Sequence, residues 1–277
     1  MNFNDYKYEH IEVEKIKDEF SENIKNFENS KNVEEQCEYF DKIIKLRNYV
    51  DTMQTLVSIR HSIDTTDKFY DKENEYMDEI SPILFGFTND FYKALVNSKF
   101  KKELTQKYGK FLFDLAENTL KTFSSEVIPD FQEENRLTSK YEKLIASAKI
   151  EFDGKELNLS QMVPYTQSKD RNVRIEAAKK VANFFSENKE EFDNIYDSLV
   201  KVRDKMAKKL GYKNYVEFGY KRLSRLEYDA KMVAGYRKQV LENIVPIHTE
   251  LRKRQEKRLG VGKLRFYDEA IKFNSGN

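Results

Sequence analysis

Apolar residues recur at helical spacing along almost the whole chain. Ile11, Ile16, Phe20, Ile24 and Phe27 fall three to five residues apart, a single stripe that predicts a helix over about residues 11–27. After the polar break from Glu28 to Lys31, a second and longer helix begins near Val33, with Cys37, Phe40, Ile44, Val50, Leu56 and Ile59 on a wide apolar face. Asp64-Thr65-Thr66-Asp67 reads as a loop that ends in an N-cap. The helix after it carries Phe69, Tyr76, Met77 and Ile80, and Pro82 predicts a kink or restart. Helical hairpins of this kind make a bundle-like N-terminal lobe.

Leu104, Tyr108, Phe111, Leu115 and Leu120 continue the helical pattern. Ser124 or Ser125 is expected to cap a helix over 126–149, with Pro129 tolerated in its first turn. Over 148–159 the period drops to two around Asp153-Gly154, which predicts one small β-hairpin in need of a helical surface beneath it. Tyr165 to Asp170 reads as a loop. Val173, Ala177, Val181 and Phe184 mark the next helix, and Phe192, Ile195, Leu199, Val202, Met206 and Leu210 the one that stops at Gly211. A short helix follows over 215–221. The last long one carries Met232, Val233, Tyr236, Val240, Ile244, Ile247 and Leu251, ends at Gly260 and should kink at Pro246. The fold class is mainly α, with no fixed-period repeat.

Composition agrees: nine Gly and four Pro in 277 residues, 35% charged, with 20 Phe and 17 Tyr to build an aromatic core. A single cysteine, Cys37, excludes an internal disulfide and a thiolate zinc cluster, and points to a reducing, cytoplasmic compartment. The opening MNFNDYKYEH has no apolar core of a secretory signal, and no apolar run is long enough for a membrane. A net charge of +1 argues against a nucleic-acid partner. Charge is nevertheless uneven: residues 1–80 hold 20 acidic against 11 basic side chains, residues 221–265 hold 5 against 13. The basic stretch is read as a solvated helix face that pairs with the acidic end of the chain.

Catalytic signatures are missing from the sequence. His10, His61 and His248 are far apart, and no H-x-x-x-H pair exists to place two imidazoles on one metal. His61 reads as a capping or surface residue, His248 as a surface residue, and Cys37 as inert core. Glu133-Glu134 and Glu190-Glu191 read as exposed helix charges. Phosphate loops, dinucleotide loops and nucleophile elbows are absent. No catalytic, substrate-binding or metal-binding residue is assigned.

The run AENTLKTF from Ala116 to Phe123, then EVIPDFQEENRLTSKYEKLIASAKIEFDGKELNLSQM, SKDRNVRIEAAKKVANFF, IYDSLVKVRDKMAKKLGYKNYVEFGYKRLSRLEYD and VAGYRKQVLENIVPIHTELRKRQEKRLGVGKLRFYDEA, resembles the oligoendopeptidase F family of zinc oligopeptidases. The likeness covers about residues 110–277 most specifically. It implies a helical enzyme with a deep channel, one zinc held by an H-E-x-x-H helix and a downstream Glu, and hydrolysis of short, unfolded peptides. In that chemistry the metal polarises the scissile carbonyl and acidifies a bound water, whose proton the motif Glu removes.

None of those ligands falls within these 277 residues, so no cofactor is expected on this chain and zinc is expected in the full-length enzyme. The resemblance makes residues 1–169 the N-terminal helical lobe and 170–277 the first helices of the catalytic lobe, before the zinc-binding helix. The chain is then expected to be inactive alone, with the C-terminal catalytic half as partner. An apolar patch near the C-terminal helices, and dimers that result from its exposure, are expected too. Tyr212, Tyr215, Tyr220, Arg222 and Arg225 either line the channel or pack inside the lobe. The alternative is a non-catalytic helical interaction module derived from the same family.

Overall fold

The computed structural model describes residues 3–275, and the fold is mainly α-helical with one two-stranded antiparallel hairpin. The chain forms two compact units: Met1–Ser139 with Ser198–Tyr228, and Lys140–Asp197 with Asp229–Asn277. Among the described residues, no helix is long and apolar enough to cross a membrane.

In the first unit, α1 (Val13–Asn29) buries Ile16, Phe20 and Phe27. Helix α2 (Val33–Ile63) starts where Asn32 Oδ1 accepts the Glu35 N–H at 2.8 Å. It packs on α1, on α3 (Lys68–Val96) and on α4 (Lys101–Tyr108), which is why its apolar positions are wide rather than confined to one stripe. Asp67 caps α3, accepting the N–H groups of Phe69 and Tyr70. Gly109, at φ +86°, divides what the pattern reads as one helical stretch into α4 and α5 (Lys110–Thr119). The core of these five helices is aromatic: Phe91 meets Phe27 and Phe40 edge-on, with ring centroids 5.8 and 5.6 Å apart.

Helix α6 (Ile128–Ala146) follows a 3₁₀ turn, Ser125–Val127, and neither Ser124 nor Ser125 makes the expected side-chain cap. Pro82 does not end α3. Having no N–H, it leaves the Asp78 carbonyl without a helical donor, and Asn135 Nδ2 of α6 donates to that oxygen at 3.0 Å. One turn away, Gln132 Nε2 donates to the Glu79 carbonyl at 2.8 Å. The proline thus creates one of the two carbonyl acceptors on which α6 docks.

Helix α9 (Lys189–Lys209) closes at Gly211, φ +83°, where Tyr212 N–H reaches back to the Ala207 carbonyl. With α10 (Tyr215–Arg222) it encloses a small core of Val127, Met206, Ala207 and Phe218.

In the second unit, β1 (Ile150–Phe152) pairs with β2 (Lys155–Leu157), Ile150 opposite Leu157. Asp153 and Gly154 both take positive φ, as a two-residue hairpin turn requires. The predicted strand does not reach Leu159: Asn158 forms a capping box with Gln161 and opens α7 (Leu159–Thr166). Tyr165 and Thr166 therefore belong to a helix, and the loop is shorter than expected. Helix α8 (Arg171–Glu187) lies under β1, and Met162, Ala177 and Phe184 join Ile150 and Leu157 in the core. The last helical stretch runs α11 (Ala230–Gln239), a π-helical turn at Val240–Ile244, then α12 (Val245–Leu259). Pro246 sits in the first turn of α12, and the π turn is the local form of the predicted kink.

Candidate functional site

A cavity of 430 Å³ opens in the first unit among α1, α2, α3, α6 and the end of α10. Its apolar surface comes from Phe20, Leu84, Phe85 and Phe131; Arg47, Asp51, Gln54, Thr88, Lys221 and Arg222 supply the polar surface. Behind it lies a buried carboxylate. Glu134 Oε1 accepts Arg203 Nε at 2.6 Å and an Arg222 guanidinium N–H at 3.1 Å, while Oε2 pairs with Arg222 at 2.9 Å. Burial alone raises the Glu134 carboxyl; the hydrogen bonds and charges of Arg222 and Arg203 outweigh it and hold the group below its ordinary range. Arg222 also lies over the rings of Phe131 and Phe218.

Glu134 corrects the reading of Glu133-Glu134 as a pair of exposed charges: Glu133 is exposed, Glu134 is 6% exposed. The signal was the spacing of Val127, Phe131 and Glu134, which share one face of the helical stretch. His61 is a second correction. It is buried, with Nε2 3.2 Å from Asp71 Oδ1, because α3 covers the face on which Met53, Val57 and His61 follow one another at intervals of four. His10 stacks on Tyr76 and holds Nδ1 2.8 Å from Glu73 Oε2, to which Tyr8 also donates. His248 is exposed. His10 and His61 are thus engaged by separate partners, Glu73 and Asp71. Among the described residues, no group of three or more His, Cys, Asp or Glu side chains could hold a metal ion.

Of the aromatic and basic residues considered for a channel, Arg222 lines the cavity; Tyr212 and Tyr215 pack with Phe218 instead. Arg225 covers Tyr220, 4.6 Å from its ring centre. The basic stretch pairs mostly with neighbours, not with the acidic end of the chain: Lys238 with Glu242, Arg254 with Glu250, Arg252 with Glu269.

A second feature belongs to the other unit. Met232, Tyr236, Leu241, Ile244, Ile247 and Leu251 follow one another along α11, the π turn and α12, and each is more than half exposed. The predicted periodicity is present here, but most of the apolar stripe is in solvent.

Residues 3–123 match the Peptidase M3 N-terminal domain, and residues 164–272 match Peptidase family M3. The chain belongs to peptidase family M3. It is 51% identical, at a TM-score of 0.97, to a Bacillus anthracis str. Ames chain assigned as oligoendopeptidase F, matched over 100% of this chain and 51% of that one. It is 50% identical to PZ peptidase A solved with an inhibitor, again at 0.97, over 100% of this chain and 49% of that one. A further chain assigned as oligoendopeptidase F is 45% identical at 0.98, over 100% and 49%. The chain therefore spans about half the length of these solved relatives. No curated protein matches it.

Proposed function

We propose that this chain is the N-terminal part of a cytoplasmic zinc metallo-endopeptidase of the oligoendopeptidase F type, which hydrolyses short, unfolded peptides and needs its C-terminal half for activity. Full-length similarity to one half of such relatives carries this reading. The apolar stripe from Met232 to Leu251 supports it, since an exposed surface of this kind is what a missing partner would cover. Residues 1–169 act as the N-terminal lobe and 170–277 as the opening helices of the catalytic lobe. The chain contributes a wall of the peptide channel and no metal ligand. Size selection, not bond cleavage, is its share of the work.

The test is reconstitution. The chain alone, the C-terminal half of the Bacillus anthracis relative alone, and the mixture are incubated with zinc and a quenched fluorescent oligopeptide. Co-elution and chelator-sensitive hydrolysis by the mixture only are expected. Robust hydrolysis by the chain alone, or failure of the halves to associate, overturns the proposal; the second result would favour an independent interaction module.

A further inference from the structure

We propose that the 430 Å³ cavity of the first unit is a carboxylate-binding subsite for an extended peptide; this rests on the peptidase reading and names what part of the substrate the wall would hold. The volume lies within the range of sites that enclose small ligands. Its wall carries three cations, Arg47, Lys221 and Arg222, against one carboxylate, Asp51. Asp51, itself exposed, is 3.8 Å from Arg47 and offsets at most that one cation.

The rest is not balanced. Glu134 receives both Arg203 and Arg222, so one carboxylate serves two guanidiniums and a positive charge is left over beside the cavity. Lys221 adds to it. Among the described residues, its Nζ makes one long ion-pair contact, 3.7 Å, to the exposed Glu217, which solvent screens.

The hydrogen-bonding groups sort in the same way. Thr119 and Thr122 donate to carbonyls of their own helix end, and Asn135 is spent on Asp78 and Ser81. Gln54 and Thr88 line the cavity and have no side-chain partner among the described residues. A surplus of positive charge, two unspent polar side chains and a floor of Phe85 and Phe131 together suit an anionic group on an apolar stem.

Isothermal titration of the 277-residue chain tests this without zinc or the other half, so it can fail while reconstitution succeeds, and the reverse. The probes are acetyl-Ala-Phe-Ala with a free C-terminal carboxylate, its C-terminal amide, and the amide acetyl-Ala-Phe-Glu-amide. Binding of the free acid at least about tenfold tighter than that of the plain amide assigns a terminal carboxylate. The same preference for the Glu-containing amide assigns an acidic side chain. Lys221→Met should weaken the preferred probe by about tenfold, and Lys221→Arg should recover most of it. Thr88→Val, a milder change, serves if Lys221→Met melts early by circular dichroism. Equal binding of all three probes, no binding of either carboxylate probe, or unchanged affinity in a folded Lys221→Met or Thr88→Val variant overturns the proposal.

Discussion

Asn135 on α6 donates to the Asp78 carbonyl on α3, the acceptor that Pro82 strands four residues later in the chain. A buried backbone acceptor without a donor costs about 1–3 kcal/mol. Asn135→Ala is therefore expected to lower stability by about that amount. Restoring the helical N–H with Pro82→Ala should make the Asn135→Ala cost smaller. Urea unfolding of the four proteins closes this double-mutant cycle, and equal costs in both backgrounds would show that Asn135 is not compensating for the proline.

Neighbouring glutamates should behave very differently. Glu133 makes an exposed pair with Arg136 at 2.8 Å, and such pairs are worth about 0–1 kcal/mol. Glu134 is buried between Arg203 and Arg222. Removing one member of a buried ion network leaves charge without a partner, at about 3–5 kcal/mol. Glu134→Gln is expected to shift the urea midpoint far more than Glu133→Gln; matching shifts would reject the buried network.

This pair marks where the sequence was legible and where it was not. Helix positions followed from apolar spacing, and the hairpin from Asp153-Gly154, because both depend on neighbours along the chain. Burial of Glu134 depends on Arg203 and Arg222, 69 and 88 residues away. Nothing local in Glu133-Glu134 separates one from the other, apart from the apolar residues that share a face with Glu134. The burial of His61 is equally invisible locally, since its partner Asp71 lies across a loop on α3. The stripe from Met232 to Leu251 differs in the opposite sense: its helical period is plain in the sequence, yet most of its side chains are exposed.

Acid should loosen the C-terminal end of the second unit. Asp268 is fully buried and accepts from Arg171, Arg174 and the Arg265 N–H. Burial by itself raises its carboxyl, but these donors hold it down at about 2. A lowered folded-state value means stability that is complete above the ordinary aspartate range, about 4, and lost as pH falls from there through about 2. Asp268→Asn should remove this part of the acid transition and lower stability at neutral pH. Thermal melts from pH 6 to pH 2 read both effects; an unchanged acid slope in Asp268→Asn would count against the assignment.

The exposed stripe leads to a prediction that separates folding from assembly. Tyr236 and Ile247 are 67% and 60% exposed, so neither contributes much to the core of its own chain. Surface changes of this kind usually alter stability by less than about 0.5 kcal/mol. A charge in the centre of an apolar interface, however, must be desolvated when the partner arrives. The double substitution Tyr236→Glu and Ile247→Glu is therefore expected to leave the melting temperature nearly unchanged while abolishing association with the C-terminal half of the Bacillus anthracis relative. Sedimentation of the mixture measures association, and the same runs on the chain alone reveal any self-association through the stripe. If the doubly charged variant still binds the other half with parental affinity, the stripe is not the surface that joins them.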